Sequence, residues 1–286
     1  MMDSLTKVQF SNLDKILYPD EAIKKSQMIG YYIKIAPLML DYLKDRPLVT
    51  TRFPNGINQN GFYGKDAPKG TPSWVGTYKK YSKTAKRYLN YVVCNNLDTL
   101  LWLANLAALE IHIPLSKLDA YEKPDLILFD IDPEPPANIN DTVEVALLLK
   151  EALDSLSLKS YPKTSGKKGL HIIVPIKPEY SYGQTREFVH KIGKQLAKEK
   201  QIVVSEFSQS QEPGKVHIDY RQNSAGRTMI CPYSLRAEKH AQVSTPLSWE
   251  QIQKGLKPKE FNIFSMAEKK DNAWEGFWES KHKLDV

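Results

Sequence analysis

Leu126-Ile-Leu-Phe-Asp-Ile-Asp-Pro133 is the stretch that decides how this chain is read. Four apolar residues in a row read as a buried strand, and Pro133 ends it. Asp130 and Asp132 stand two residues apart at the strand's end. Side chains alternate faces along a strand, so both carboxylates point the same way. Two such groups repel unless something positive sits between them. Hard divalent cations such as Mg²⁺ or Mn²⁺ suit oxygen ligands of this kind. By itself the pair also fits two solvated carboxylates at the mouth of a loop.

Outward from this strand the pattern alternates. Helical spacing covers Asp141–Leu156, with Asp141 near the N-terminus, and Gln184–Lys200. Strands are expected at Lys159–Lys163, Leu170–Pro175, Ile202–Phe207, Lys215–Tyr220 and Arg227–Pro232. The order β-α-β-β-α-β is that of a split βαβ, or RNA-recognition-motif (RRM-like), plan. The expected class is α+β, with this sheet packed against an N-terminal α/β layer. Toward the N-terminus, Ser26–Leu43 reads as a helix with Ser26 as its N-cap. Asp98–Ile111 is apolar almost all round and reads as a buried helix, with His112 just after it. Asn55–Arg87, rich in Gly, Pro, Asn, Lys and Tyr, reads as a long irregular region.

Three further stretches carry chemistry. Thr164-Ser-Gly-Lys-Lys-Gly-Leu-His171 joins two strands. Gly166 and Gly169 permit a tight turn and close backbone approach. Ser165, Lys167, Lys168 and His171 add donors and charge that suit a triphosphate, although the spacing of a Walker loop is absent. The same stretch also fits a plain hairpin turn with solvated lysines. In Val216-His-Ile-Asp-Tyr-Arg-Gln222, alternation puts His217 and Asp219 on one face and Ile218 on the other. Asp219 could then join Asp130 and Asp132 in a two-metal centre of the phosphoryl-transfer kind; an exposed Asp on an edge strand is the plain alternative. Arg236, closing Cys231-Pro-Tyr-Ser-Leu-Arg236, suits bidentate contact with a phosphate. Lys15, Lys24, Lys25 and Arg52 occur near Phe53, Phe62, Tyr63, Trp74 and Tyr78, a mixture that suits nucleic acid as well as a solvated basic face over core aromatics.

The 286 residues, 41% hydrophobic and 26% charged, are normal for a globular protein. No apolar run long enough to span a membrane is present, and Met1–Lys7 has no secretory signal, so a cytoplasmic, nucleoid-associated protein is expected. Cys94 and Cys231 form no metal or disulfide framework and are expected to be buried in a reducing compartment. A net charge of +7 favours a polyanionic partner.

Together these stretches resemble the archaeo-eukaryotic primase superfamily, most closely the polymerase domain of bacterial ligase D and its stand-alone archaeal relatives in non-homologous end joining. The likeness runs through Asn12-Leu-Asp-Lys-Ile-Leu-Tyr-Pro19, Tyr31-Tyr32, Arg52-Phe-Pro-Asn-Gly56, Gly70-Thr-Pro-Ser-Trp74, Asn105–Glu110, Phe129–Pro133, Thr164–His171, Gln222-Asn223 and Pro232–Arg236. It implies a single primase-polymerase domain over residues 1–286, with an N-terminal DNA-binding sublayer (roughly 1–120) and an RRM-like catalytic sublayer (121–286). Asp130, Asp132 and Asp219 would be catalytic and bind two Mn²⁺ or Mg²⁺ ions. Ser165, Lys168, His171, Gln222, Arg236 and His112 would hold the NTP or dNTP. Lys15 and Lys25, helped by Arg52, would grip a 5′-phosphate on DNA ends or gapped duplex, and Phe62 and Tyr63 would stack on template. The family often has a Lys where this chain has Thr51, which is expected to thin the 5′-phosphate pocket. No K-x-D-G ligase motif is present, so ligase, phosphoesterase and Ku functions would come from separate proteins. The rival readings are a de novo primase, a non-catalytic end-bridging module and a metal-dependent nuclease.

Overall fold

The computed structural model describes residues 6–82 and 85–284, and the chain forms two compact units. The first comprises the chain up to Pro114 together with Ile230–Ser244 and Lys259–Asp271. The second comprises Leu115–Met229, Thr245–Pro258 and the segment from Asn272 onward.

The first unit begins with a small ladder of β1 (Ile16–Tyr18) and β2 (Ile23–Lys24), leading into α1 (Lys25–Leu43). The helix starts one residue before the expected Ser26 cap. Lys24 takes the capping position, and its N–H donates to the Gln27 side chain at 2.8 Å. A sheet follows from β3 (Pro47–Arg52), β4 (Phe62–Gly64), β5 (Gly76–Ser82) and β6 (Arg87–Val93). Residues 55–75 are irregular apart from β4, as expected, but the rest of that region is ordered: β5 and β6 are an antiparallel hairpin, Tyr78 opposite Tyr91 and Tyr81 opposite Tyr88. The face of β5 is half exposed along its whole length, so nothing imposes the apolar alternation that would have marked it in sequence. Next, α2 (Leu97–Asn105) ends early. Ala107 takes a positive φ of 56°, and the chain continues as β7 (Ala108–Ile113). The single helix expected over Asp98–Ile111 is thus a helix and a strand. His112 sits within that strand and does not follow a helix. An all-apolar run carries no period, so helix and buried strand look alike in it.

In the second unit, β8 (Leu126–Pro133) is the central strand of a five-stranded sheet. The crossover helix α3 (Ile139–Ser155) is capped by Asn138, with Asp141 returning a bond to the Asn138 N–H at 2.7 Å. The hairpin β9 (Tyr161–Thr164) and β10 (Leu170–Pro175) follows, then α4 (Tyr182–Glu199), capped by Ser181 and Gln184. The chain closes the sheet with β11 (Val203–Val204) and β12 (Val216–Asp219). The expected strand over Ile202–Phe207 shortens to two residues because Phe207 starts a 3₁₀ turn. The sheet order is β11-β12-β8-β10-β9. Since β8 is antiparallel to both β10 and β12, the two βαβ units interleave, the split arrangement read from the sequence. α4 lies on the Ile218 face: a methyl added at Gly193 would come within 3.8 Å of Ile218 and 2.4 Å of the Ser205 hydroxyl.

The chain then returns to the first unit by β13 (Met229–Ile230), and the Cys231 N–H donates to the Ile111 carbonyl. Buried tyrosines hold this segment: Tyr31 donates to the Tyr233 carbonyl at 2.7 Å and Tyr18 to the Arg236 carbonyl at 2.8 Å. The short helix α5 (Ile263–Ala267) completes the unit. Cys94 and Cys231 are both buried, as expected. No helix among the described residues is long and apolar enough to cross a membrane.

Candidate active site and nucleic-acid interface

Register builds the carboxylate site. On β8, Asp130 lies opposite Asp219 of β12 on one side and His171 of β10 on the other, and His171 in turn lies opposite Lys163 of β9. Directly opposed residues share a face, so Lys163, His171, Asp130 and Asp219 form one row across four strands. Asp132 and His217 form the next pair along. Helix α4 packs on the reverse face, through Ile218, which leaves this face to the charged side chains.

Within the row His171 meets Asp130, while Asp219 bonds its own turn. His171 Nε2 lies 3.1 Å from Asp130 Oδ1. Asp219 accepts from the Arg221 N–H at 2.9 Å and from the Gln222 side chain at 3.1 Å. Burial, and then the charge of Asp130, push the Asp132 carboxyl up to about 6. His217 is pushed below its usual value by burial, against the pull of the three carboxylates. Among the described residues, no three His, Cys, Asp or Glu side chains already converge to hold a cation. Asp219 spends its oxygens on its own turn and Asp130 one of its on His171, so cation binding has to exchange those bonds. The donor set itself suits a hard cation: carboxylate oxygens, half-buried, with excess negative charge.

The loop after β9 is made for close approach. Ser165 N–H donates to the Gly169 carbonyl, and the Gly169 N–H returns to Ser165 Oγ at 3.2 Å. Gly166 takes φ 72°. A Cβ at Gly169 would stand 2.3 Å from the Ile131 carbonyl and 2.4 Å from an Asp132 oxygen. The loop backbone therefore lies directly on the carboxylate strand. Gly169→Ala is expected to displace Asp132 and destabilise the domain by roughly 1–3 kcal/mol, the cost of overpacking; a melting curve unchanged from wild type would refute the close approach. Lys168 points to Glu134 at 3.6 Å and also lowers the Asp132 carboxyl.

In the first unit, β7 places Glu110 and His112 two residues apart on one face. Glu110 forms an ion pair with Arg236, whose Nε lies 3.2 Å away, lies 3.2 Å from His112 Nε2, and accepts from the Ala237 N–H at 3.3 Å. Burial works to raise the Glu110 carboxyl. The His112 hydrogen bond and the Arg236 charge outweigh it and hold the carboxyl at about 2. Glu110 is the group that reading of the sequence missed; its signal was the Glu-x-His alternation, hidden by assigning the segment to a helix.

The same unit gathers Lys15, Lys25, Arg52 and Phe62 around a cavity of about 300 Å³. Lys25 is buried and donates to the Ser11 carbonyl at 2.6 Å, while Lys15 donates to Asn55 at 2.8 Å. Burial, then the Lys15 charge, lower the Lys25 ammonium. Phe62 and Tyr63 are both exposed, yet as neighbours on β4 they point to opposite faces, and Tyr63 does not line the cavity. Thr51 is also outside the lining; it lies opposite Tyr63 and Glu110.

Comparison with known proteins bears on the family and the fold. The family model described as LigD, primase-polymerase domain, matches residues 24–277. The bifunctional non-homologous end joining protein LigD of Bacillus subtilis is 34% identical over 259 residues, 90% of this chain and 41% of that protein. The multifunctional homologue from Mycolicibacterium smegmatis is 33% identical over 256 residues, 88% of this chain and 33% of its own length. The chain thus spans less than half of either relative. The polymerase domain of Mycobacterium tuberculosis ligase D, solved in complex with DNA, superposes with a TM-score of 0.86 at 28% identity, over 92% of this chain and 93% of that one. With nearly the whole chain matched in sequence and in fold, the protein belongs to the LigD primase-polymerase domain family, a family of nucleotidyltransferases.

Proposed function

We propose that this domain is a template-directed polymerase that fills gaps and extends ends during double-strand-break repair by end joining. The observation that carries the reading is the cross-strand row in which Asp219, Asp130 and His171 stand side by side, with Asp132 one pair along. Asp130, Asp132 and Asp219 would hold two divalent cations, Mn²⁺ or Mg²⁺. When bound, such ions supply charge neutralisation on the phosphates and acidify the attacking hydroxyl. The residues do the positioning. Ser165, Lys168, His171 and Gln222 are assigned to the incoming nucleotide, together with Arg236 and His112. The Asp130 contact fixes the His171 ring, and Glu110 fixes the Arg236 fork before substrate arrives, which lowers the ordering cost of binding. A preference for ribonucleotides is part of the proposal, as are a cytoplasmic, nucleoid-associated location and work in company with Ku, ligase and phosphoesterase activities.

The Lys15, Lys25 and Arg52 cavity is assigned to a 5′-phosphate on the downstream strand, with Phe62 against a base. A terminal phosphate carries more charge than a diester and gains more from clustered cations. The test is primer extension on gapped DNA, with NTPs against dNTPs, with and without a 5′-phosphate. Extension that needs template and primer, and binding of the 5′-phosphate gap tighter by about 1–3 kcal/mol, are expected. Lys15→Ala with Lys25→Ala should erase that difference and leave extension of an open primer–template near normal. Equal affinity for both gaps at low salt would refute the end-recognition assignment, and synthesis without any primer would favour a primase.

A further inference from the structure

A second polar cavity, of about 490 Å³, lies in the catalytic unit away from the carboxylate row. Its walls are the first half of α4, with Gly183, Arg186, Glu187 and His190, and the turn after β12, with Tyr220, Arg221, Ser224 and Arg227. Three arginines around one cavity need counter-charge, and among the described residues none of them is ion-paired. The nearby carboxylates are already engaged. Glu187 pairs with Lys191 at 3.5 Å, and Glu206 with His190 at 3.0 Å and Lys194 at 3.1 Å. Aromatic surfaces adjoin the arginines. The Arg221 guanidinium lies 3.9 Å over the ring of Phe207, which is 57% exposed, and Tyr220 stacks on His190 at 3.9 Å. Cationic groups beside an exposed ring such as Phe207 are what single-stranded nucleic acid requires, phosphates on the arginines and a base on the ring.

We propose that this cavity is a nucleic-acid contact that takes the backbone phosphates of a single strand. Arg186 and Arg227 meet the phosphates, and the Arg221–Phe207 pair forms a stacking platform. The turn that carries Arg221 also bonds Asp219, through the Arg221 N–H and Gln222. A strand seated there is therefore mechanically joined to the third carboxylate. The inference rests on the polymerase reading for its purpose, though not for its chemistry.

The test uses the full chain and a 3′-labelled oligothymidylate with a 5′-hydroxyl, followed by fluorescence anisotropy at several salt concentrations. Arg186 and Arg227 are both exposed, so Arg186→Ala with Arg227→Ala should leave the fold intact. The double variant is expected to bind the oligomer at least 10-fold more weakly. Its salt slope should be shallower by about 1.4, two phosphate contacts at about 0.7 each. Unchanged oligomer affinity in the arginine variant overturns the proposal. So does a variant that loses protection by inorganic pyrophosphate in a melting assay while still binding the oligomer, since the cavity would then serve a small phosphate. The readout is strand binding and not nucleotide addition. An active polymerase with unchanged oligomer binding would sink this inference alone, and an inactive protein with arginine-dependent binding would sink only the polymerase reading.

Discussion

Asp132→Asn should abolish primer extension and at the same time raise the melting temperature of metal-free protein above pH 6. The two effects have one cause. Burial beside Asp130 lifts the Asp132 carboxyl from an ordinary 3.8 to about 6. The folded state therefore holds a proton that the unfolded chain has already released. Stability associated with this group is fully present below pH 4 and is lost as pH rises through 6. Above that, the ionised carboxylate costs the fold on the order of 2 kcal/mol, by the conversion of about 1.4 kcal/mol per pKa unit with allowance for partial exposure. Asparagine carries no such cost, so its advantage should be absent near pH 4, grow through pH 5–6 and level off by pH 7. With EDTA present, a gain of a few degrees is expected at pH 8. Added Mn²⁺ should narrow the difference by stabilising the wild type alone. Asp130→Ala should lose extension as completely while leaving DNA binding intact or stronger, because negative charge near phosphate is removed. Extension near the wild-type rate in either variant would sink the assigned site. A flat stability difference between pH 4 and 8 would sink its electrostatics.

The second large effect is expected at Glu110. Its carboxyl is held at about 2 against an ordinary 4.5, by His112 and Arg236 in opposition to burial. A depressed carboxylate contributes stability that is present above pH 4.5 and is lost as pH falls through 2. Glu110→Gln should therefore cost roughly 3 kcal/mol at pH 7, and progressively less on acidification below 4.5. It also leaves Arg236 without the carboxylate that orients it. Nucleotide kcat/KM should fall about 100-fold, some 2.7 kcal/mol of transition-state binding, with little change in DNA affinity. Arg236→Ala should give a similar kinetic loss, and the double variant should lose no more than about either alone, since the two act as one unit. Full additivity would show that Glu110 and Arg236 work independently. Urea melts at pH 3 and 7, with steady-state nucleotide titrations, measure both halves.

Much of the second unit could be read before any fold was in hand, for local reasons. A central strand is buried on both faces, so Leu126–Phe129 had to be continuously apolar, and the change to alternation at Asp130 marked where one face opens. Glycines at 166 and 169 announced a turn, and the 2.3 Å clearance at Gly169 is the close approach they implied. The helices read at Asp141–Leu156 and Gln184–Lys200 start two residues inside the observed α3 and α4, whose caps are Asn138 and Ser181. Period-2 alternation put His217 and Asp219 on one face, and the structure keeps them so.

What the tertiary structure decided is every relation between strands. Alternation assigns a side chain to a face but says nothing about which strand lies beside it, because pairing and register are set by contacts between segments distant in sequence. Only the sheet order places Asp219 opposite Asp130, and only the return of the chain at Cys231 brings Arg236 onto Glu110. The same holds for the cavity of Lys15, Lys25 and Arg52, assembled from separate segments, and for Thr51, whose face depends on the ladder it joins. Where local signals were ambiguous, in the apolar run before His112 and the polar hairpin at 76–93, burial chose the outcome. The sequence alone named the candidate residues for the chemistry, Glu110 excepted. Long-range pairing determined which of them meet, since register is a property of two strands and is written in neither one.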